Sequence, residues 1–262
     1  MILVSADMEG ASGVSRWAEV TPGDPAYERG RAALARDVAA VAAVYAEHGV
    51  PVAVTDGHWF GTNLRAEDLG LPVAAGTRMP FGMVEGVQDP AVEGVVLLAY
   101  HGMAGSAGTL SHTWSDAFSE VLLDGEPIGE IGLSALLAWS VGVPVIGLSG
   151  DDVACAEFRR RLPGLPVAEV KRAVGHEAAV LYPDAAERLR AMARRSLEGR
   201  GRGAVGEKRT HTLAARMSTV VGADRAAITP GTSRGAPTEL AYVGDVRRCF
   251  DALRTWAALA DA

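Results

Sequence analysis

Four short apolar runs constrain the fold of this chain more than any other feature. They lie at residues 1–6, 50–55, 94–100 and 143–149, and none contains a charged residue. Uncharged runs of this length without helical periodicity are typical of strands buried on both faces of a parallel sheet. A helical pattern separates the first two, with Leu34, Val38, Val41 and Tyr45 on one face. The strand–helix–strand order predicts right-handed parallel crossovers.

The rest of the chain extends this α/β pattern. Asp24 is expected to cap the first helix, and Asp151 and Asp152 a helix at residues 151–161. Further segments are expected as helices at residues 130–141, 184–197 and 246–260, and as strands at residues 210–217 and 238–243. A glycine-rich, linker-like stretch covers residues 199–206. We therefore predict a mostly parallel sheet with helices on both faces in residues 1–170. A smaller C-terminal α/β portion, residues 171–262, would supply pocket walls and subunit contacts.

Charge and cysteine content exclude several classes of protein. The net charge is −7, which argues against a nucleic-acid or anionic-membrane binder, because either would need a basic face. Cys155 and Cys249 have no zinc-knuckle spacing and indicate free thiols in a reducing compartment. The N-terminus lacks a basic signal-peptide region, and Pro144 interrupts the uncharged run at residues 131–150. We expect a cytoplasmic protein that spans no membrane.

The polar residues that follow the predicted strands indicate a ligand-binding site. Asp7 and Glu9 follow the first run, and His58 and His101 follow the second and third. Ligands of open parallel sheets lie outside the carboxyl ends of the strands, so these side chains are expected at one edge. Asp7 and Glu9 lie two residues apart and therefore point the same way. Glu130 opens a helix and joins the same set.

These five side chains suit divalent metal ions. Three carboxylates and two neutral imidazoles are ligands for zinc, with manganese or cobalt as alternatives. Two ions and a bridging hydroxide would neutralise the three negative charges, and Asp7 would bridge the ions. Each residue also has a plainer interpretation: an acid can cap a turn or a helix start, and a histidine can lie satisfied in the core. The combination of all five favours the metal site.

Other polar residues near the strand ends have candidate roles. His112 lies beyond a glycine-rich loop and could be a general acid or base, or a surface residue. Asp56 could orient a ligand histidine or belong to a turn. His48, His176 and His211 have no acidic strand-end context and are not assigned to the site.

Several short motifs, taken in order, resemble one known family. They are Asp7-Met8-Glu9-Gly10, Asp56-Gly57-His58 with Asn63-Leu64, Pro80-Phe81-Gly82-Met83-Val84-Glu85-Gly86, Tyr100-His101, Ser111-His112, Gly129-Glu130-Ile131-Gly132, Gly150-Asp151-Asp152 and Pro230-Gly231-Thr232. This series is similar to the DppA-type D-aminopeptidases, peptidase family M55. The resemblance implies a di-zinc centre held by Asp7, Glu9, His58, His101 and Glu130, with a catalytic role for His112.

The resemblance also implies an activity and an assembly. A metal-activated hydroxide would hydrolyse the N-terminal bond of short peptides, including D-amino-acid peptides such as D-Ala-D-Ala, in a homodecamer of stacked pentameric rings. His112 would be a proton shuttle, a stabiliser of the tetrahedral intermediate or a nucleophile. Two alternatives remain at this stage. One is a two-metal phosphoesterase; the other is a non-enzymatic nucleotide-binding module that uses residues 10–13, although these lack the GxGxxG spacing.

Overall fold

The structure is a computed structural model that describes residues 1–76, 80–201 and 210–261. Its strands are β1 (Ile2–Ala6), β2 (Val52–Asp56), β3 (Val73–Ala74), β4 (Gly94–Tyr100), β5 (Phe118–Leu123), β6 (Glu126–Pro127), β7 (Val145–Asp151), β8 (Val167–Gly175), β9 (Ala178–Leu181), β10 (His211–Met217), β11 (Ser233–Ala236) and β12 (Glu239–Gly244). Its α-helices are α1 (Tyr27–Glu47), α2 (Ala66–Leu69), α3 (Glu130–Ser140), α4 (Asp152–Arg161), α5 (Ala185–Ser196), α6 (Val220–Ala226) and α7 (Val246–Ala260). Short 3-10 helices cover Trp17–Glu19, Gly82–Val84 and Leu197–Gly199.

A seven-stranded sheet with the order β3-β2-β1-β4-β7-β8-β9 forms the centre of the protein. All neighbouring pairs in it are parallel except β8 and β9. Parallel strands place their carboxyl ends at one edge, so β1, β2, β4 and β7 deliver their following residues to the same place. The prediction of a mostly parallel α/β sheet is confirmed.

Both faces of this sheet are covered by helices. On one face, Ile2 of β1 shares a core cluster with Leu34 of α1 and Leu189 of α5. On the other face, Leu3 shares a cluster with Ile131 of α3 and with residues of α4. Successive side chains of a strand point to opposite faces, so the uncharged sequence of β1 follows from burial on both sides.

A second sheet of five strands lies beside the first, in the order β11-β12-β10-β5-β6. It is antiparallel, and β10 pairs with β5 and β12. Helix α7 packs on it through Leu253 and Trp256, both 0% exposed. The predicted terminal helix is confirmed, whereas β5 and β6 were not predicted.

The structure refines several sequence-based expectations. The first helix begins at Tyr27, with Ala26 at the N-cap position, so the prediction of Asp24 as its cap is wrong. Asp24 instead accepts a hydrogen bond from the Ala26 backbone amide at 2.9 Å. Asp151 is the N-cap of α4, as predicted, while Asp152 is the first helical residue.

The division into two portions stays a prediction. Strand β8 crosses the proposed boundary at residue 170, and β5, from the first portion, belongs to the second sheet. Most of the linker-like stretch, residues 202–206, lies outside the described residues. Within residues 1–76, 80–201 and 210–261, no helix combines the length and the apolar character needed to cross a bilayer.

Candidate metal centre

The residues after β1 form a tight loop against β4. The amide of Asp7 donates to the Leu98 carbonyl at 2.9 Å, and that of Gly10 donates to the Ala99 carbonyl at 2.7 Å. A side chain at Gly10 would collide with the backbone of Ala99 and Tyr100, so only glycine fits this approach. The loop thereby directs Asp7 and Glu9 over the carboxyl edge of the sheet.

The structure brings the five predicted ligands together, and Asp7 lies at their centre. Asp7 Oδ1 is 3.4 Å from His58 Nδ1, while Asp7 Oδ2 is 3.3 Å from His101 Nε2. Glu9 Oε2 lies 3.0 Å from His58 Nδ1, and Glu130 Oε1 lies 3.4 Å from His101 Nε2. The two oxygens of one carboxylate therefore face two separate groups of donors.

Backbone carbonyls fix which nitrogen of each histidine faces the centre. His58 Nε2 lies 2.8 Å from the Val20 carbonyl, and His101 Nδ1 lies 2.9 Å from the Gly102 carbonyl. A carbonyl accepts only from N–H, so the opposite ring nitrogen is left to face the carboxylates. Hydrogen bonds of this kind orient histidines that ligate metals.

The cluster is buried and contains three carboxylates against two imidazoles. Each of the five side chains belongs to a residue at most 7% exposed, and Asp7 Oδ2 and Glu9 Oε2 have no hydrogen-bond partner. Burial, followed by the charge of Glu9, raises the pKa of Asp7 to about 7. Burial alone would lower the pKa values of His58 and His101. The carboxylates, Glu9 first for His58 and Glu130 first for His101, outweigh burial and raise both. The carboxylates therefore favour positive charge at the two imidazoles, which a proton or a metal ion can supply.

His112 lies beside the five ligands but is more accessible. Its ring stacks on His101 at 4.1 Å with an interplanar angle of 10°, and its Nε2 is 3.8 Å from Glu130 Oε1. Its Nδ1 is 2.9 Å from the Leu110 carbonyl, so Nε2 carries the lone pair. Burial, with a smaller effect from His101, lowers the pKa of His112 and favours the neutral ring.

Two residues that the sequence patterns did not identify hold the loop after Glu9. Lys171 of β8 is 0% exposed, and its Nζ donates to the carbonyls of Glu9, Ala11 and Val14 at 2.5, 3.1 and 2.6 Å. Asp37 of α1 accepts from the amide and hydroxyl of Ser12 at 2.8 and 2.6 Å. Lys171 lies between other charged residues of β8, Glu169 and Arg172, so the sequence offered no signal that it is buried or which groups it contacts.

The other acids at the strand ends have structural roles. The carboxylate of Asp56 accepts from the Asn63 amide, the Asn63 side chain and the Leu64 amide. Asn63 Nδ2 also donates to the His58 carbonyl at 2.7 Å, so Asp56 fixes the loop that carries His58 rather than its ring. Asp151 accepts from Thr109 and Ala154 amides at 2.7 and 2.8 Å.

The arrangement fits divalent cations on chemical grounds. Donor atoms of Asp7, Glu9 and His101 lie within 4.8 Å of one another, as do those of His101, His112 and Glu130. The set of carboxylate and imidazole donors suits zinc. Orphaned carboxylate oxygens that face imidazole nitrogens need a proton or a metal ion between them. Because two such positions flank Asp7, the donors can hold a pair of cations.

Known proteins are similar to this chain in sequence and fold. The Peptidase M55 family, described as D-aminopeptidase, matches residues 1–255. A D-aminopeptidase of Bacillus subtilis (strain 168) is 33% identical over 192 residues, which cover 72% of this chain and 70% of that protein. The solved structure of Zn-dependent D-aminopeptidase DppA from Bacillus subtilis, a self-compartmentalizing protease, has a TM-score of 0.93 and 27% identity. That match covers 99% of this chain and 97% of the other.

Proposed function

The chain belongs to peptidase family M55, the D-aminopeptidases, and from this membership we propose how its metal centre hydrolyses peptides. The family resemblance of the sequence motifs is thereby confirmed, and the protein is a metallo-aminopeptidase. The proposed reaction is hydrolysis of the N-terminal peptide or amide bond of short peptides, including D-amino-acid peptides such as D-Ala-D-Ala. The two donor groups on either side of the Asp7 carboxylate carry this proposal.

Five side chains are assigned to two zinc ions. Glu9 and His58 would hold one ion and His101 and Glu130 the other, and Asp7 would contribute to both. When bound, such ions would lower the pKa of water to about 7 and polarise a carbonyl, which would supply hydroxide for attack near neutral pH. His58 and His101 remain oriented by the Val20 and Gly102 carbonyls.

Residues of the chain carry out the remaining steps of the proposed hydrolysis. His112 is assigned to proton transfer, because its Nε2 lone pair faces Glu130 and the lowered pKa keeps the ring neutral. The oxygen of water bonds to the carbonyl carbon, the C–N bond breaks, and His112 passes the proton of water to the leaving nitrogen. Glu130 keeps its position because its Oε1 accepts from the Trp114 amide at 2.7 Å.

An oligomeric form and a cellular location belong to the same proposal. We assign a homodecamer of stacked pentameric rings, supported by the description of a protein with this fold as self-compartmentalizing. Light scattering should then give about ten times the 27.3 kDa chain mass. A cytoplasmic location agrees with the two buried free thiols, Cys155 and Cys249, since reduced cysteines are usual there.

A substrate panel tests the activity. We expect the purified protein to hydrolyse D-Ala-D-Ala and a chromogenic D-alanyl amide faster than the L-isomers. A chelator should lower turnover about a thousandfold, the scale of the several kcal/mol that a metal contributes, and added zinc should restore it. Hydrolysis of a phosphate ester instead would support the phosphoesterase. Nucleotide binding without turnover would support the binding module.

A further inference from the structure

Glu157 is a buried acid on α4 that takes no part in the proposed hydrolysis. It is 4% exposed, and its Oε1 has no hydrogen-bond partner among the residues that the structure describes. Its Oε2 accepts from the Met103 amide at 2.9 Å. Burying a carboxylate is costly unless it is paired, so a role beyond packing is expected for it. Met103 lies two residues after the proposed ligand His101, which indicates where that role lies.

The hydrogen bond from Met103 reaches His101 through one peptide unit. The Met103 N–H and the Gly102 carbonyl belong to the same peptide bond, and that carbonyl lies 2.9 Å from His101 Nδ1. In a trans peptide these two groups point in opposite directions, and the described residues contain no cis peptide bond. Glu157 therefore fixes the amide side of the peptide, while the carbonyl side accepts from the imidazole.

A negative charge at the amide side strengthens the hydrogen bond at the carbonyl side. Hydrogen bonds in a chain polarise one another, and an ionised acceptor gives the stronger bond. The Gly102 carbonyl should therefore accept more strongly from His101 Nδ1, which makes Nε2 a better donor to a metal ion. Carboxylates that contact a ligand histidine directly have this effect in metal sites. In this protein a backbone peptide lies between the two side chains.

The same acid lies against the segment that carries Glu130, the second proposed ligand on the His101 side. A side chain at Gly129 would come within 2.9 Å of Glu157 Oε1 and within 2.5 Å of the Met103 Cβ. Gly129 is the N-cap of α3, and Glu130 is the first residue of that helix. Helix α4 therefore supports both segments that supply ligands to this side of the centre.

The ligands on the other side of the centre are held by different elements. The Glu9 carbonyl accepts from Lys171 of β8 at 2.5 Å, and the Val20 carbonyl fixes the ring of His58. The two sides are therefore supported separately, one through β8 and the loop after β1, and the other through α4.

We propose that Glu157 is a positioning residue for His101 and acts through the peptide between Gly102 and Met103. The inference rests on the proposed two-ion centre and goes beyond it, because it assigns a support to one of the two ions. Loss of the Glu157 carboxylate should weaken the ion on the His101 side and leave the ion on the His58 side in place.

Zinc titration against a competing chelator measures the two affinities. Glu157→Leu removes the acceptor, so one of the two ions should bind about 10- to 100-fold more weakly, the usual cost of losing a group that orients a ligand. Glu157→Gln keeps an acceptor without the charge, and its loss should be smaller, about 3- to 10-fold. Phe158→Leu is the matched control. Phe158 is the next residue of α4 and is 0% exposed, so this variant should lose stability but keep both affinities.

A second measurement needs no metal. In nitrogen–proton NMR spectra of the metal-free protein, the Nδ1 proton of His101 can be assigned by its loss in His101→Gln. This proton should exchange with solvent faster in Glu157→Leu than in the wild type, because the Gly102 carbonyl is then held less firmly. The Nε2 proton of His58, which faces the Val20 carbonyl, should exchange at the wild-type rate.

Wild-type affinity for both ions in Glu157→Leu, or in Glu157→Gln if the leucine variant does not fold, would overturn the inference. Equal weakening of both ions would do so as well, as would the same loss in Phe158→Leu, because either result indicates a general loss of structure. If the wild type binds no zinc, the proposed metal centre fails, and the exchange rate of the His101 proton still decides whether Glu157 acts on His101.

Discussion

The carboxyl edge of the seven-stranded sheet and the five-stranded sheet accommodate polar groups in opposite ways. At the edge, carboxylate oxygens of Asp7 and Glu9 are buried without a hydrogen-bond partner. In the second sheet, burial alternates along β10, and exposed Arg216 pairs with Glu120 and Glu239 at 3.4 Å. The first region leaves buried carboxylate oxygens unpaired by the chain, whereas the charged residues of β10 in the second region pair with residues of the chain itself.

The two regions also differ in backbone strain. Four residues around the site, Trp59, Ala99, Leu110 and Trp114, have φ between 52° and 68°. Such conformations cost about 1–3 kcal/mol each and persist where the surroundings enforce them. Among the described residues of the second sheet, Asp124 at the β5–β6 turn is a non-glycine residue of this kind. The strained residues therefore make the carboxyl edge of the seven-stranded sheet less stable than its side-chain packing alone would make it.

The largest effect is expected for a pair of histidine substitutions, one in each region. His112→Ala should lower kcat about 10²- to 10⁴-fold with both metals retained, because proton transfer is lost. His211→Ala should leave turnover per folded molecule unchanged, since His211 Nδ1 pairs with Asp124 at 2.8 Å in the second sheet. Steady-state kinetics and metal analysis measure both.

The outcome for His112 separates three roles. Loss of metal from His112→Ala would make it a ligand, which its position near His101 and Glu130 allows. Near-normal turnover with metal bound would remove it from the mechanism. An acyl group trapped on His112 by acid quenching would make it the nucleophile instead of the proton carrier.

A smaller effect is expected where β8 supports the edge. Lys171→Met removes three hydrogen bonds to the loop after Glu9, so metal affinity should fall about 10- to 100-fold, the usual cost of losing a group that orients a ligand. Arg172→Met, at the adjacent exposed position, is the control and should bind metal normally. Titration with a zinc-competing chelator measures the affinity. Equal affinities for the two variants would contradict the positioning role.

Lys171 also predicts a pH dependence of stability. Burial lowers its pKa from 10.5 to about 8 in the folded protein. The unfolded chain then binds more protons between about pH 8 and 10.5, so the contribution of Lys171 to the free energy of unfolding rises with pH across this window. Denaturant titrations at several pH values should show this rise in the wild type and not in Lys171→Met. If the wild type and Lys171→Met showed the same dependence of unfolding free energy on pH, Lys171 would not be the group responsible.

The smallest effect on the site is expected from the core of the second sheet. Leu213 of β10 is 0% exposed, and Leu213→Ala should lower the free energy of unfolding by about 2–5 kcal/mol through the cavity that it leaves. Metal content and turnover per folded molecule should stay at wild-type values. Denaturant titration and active-site counting test this, and loss of metal would show that the two regions are energetically coupled.

The sequence predicted the parts of the fold that have one-dimensional signals. Uncharged runs identified β1, β2, β4 and β7, because a strand buried on both faces has no place for charge. Strand β8 was missed because it carries Glu169, Lys171 and Arg172, which interrupt that pattern. Strand β5 was missed because its partner β10 lies about 90 residues away, and its pairing is decided by tertiary packing.

For the site, too, the sequence predicted only what local patterns signal. The proximity of Asp7, Glu9, His58 and His101 was predictable because strand ends of a parallel sheet share an edge. Lys171 contacts backbone carbonyls 157 to 162 residues earlier in the chain. No local motif encodes such contacts, so their roles became visible only in three dimensions.

The metal content of the wild type and of Asp7→Ala tests the central claim most directly. If Asp7 joins two donor groups, the wild type should contain close to two zinc ions per chain by elemental analysis, and Asp7→Ala should lose both together. One ion or none in the wild type, or two ions retained without Asp7, would contradict the paired centre.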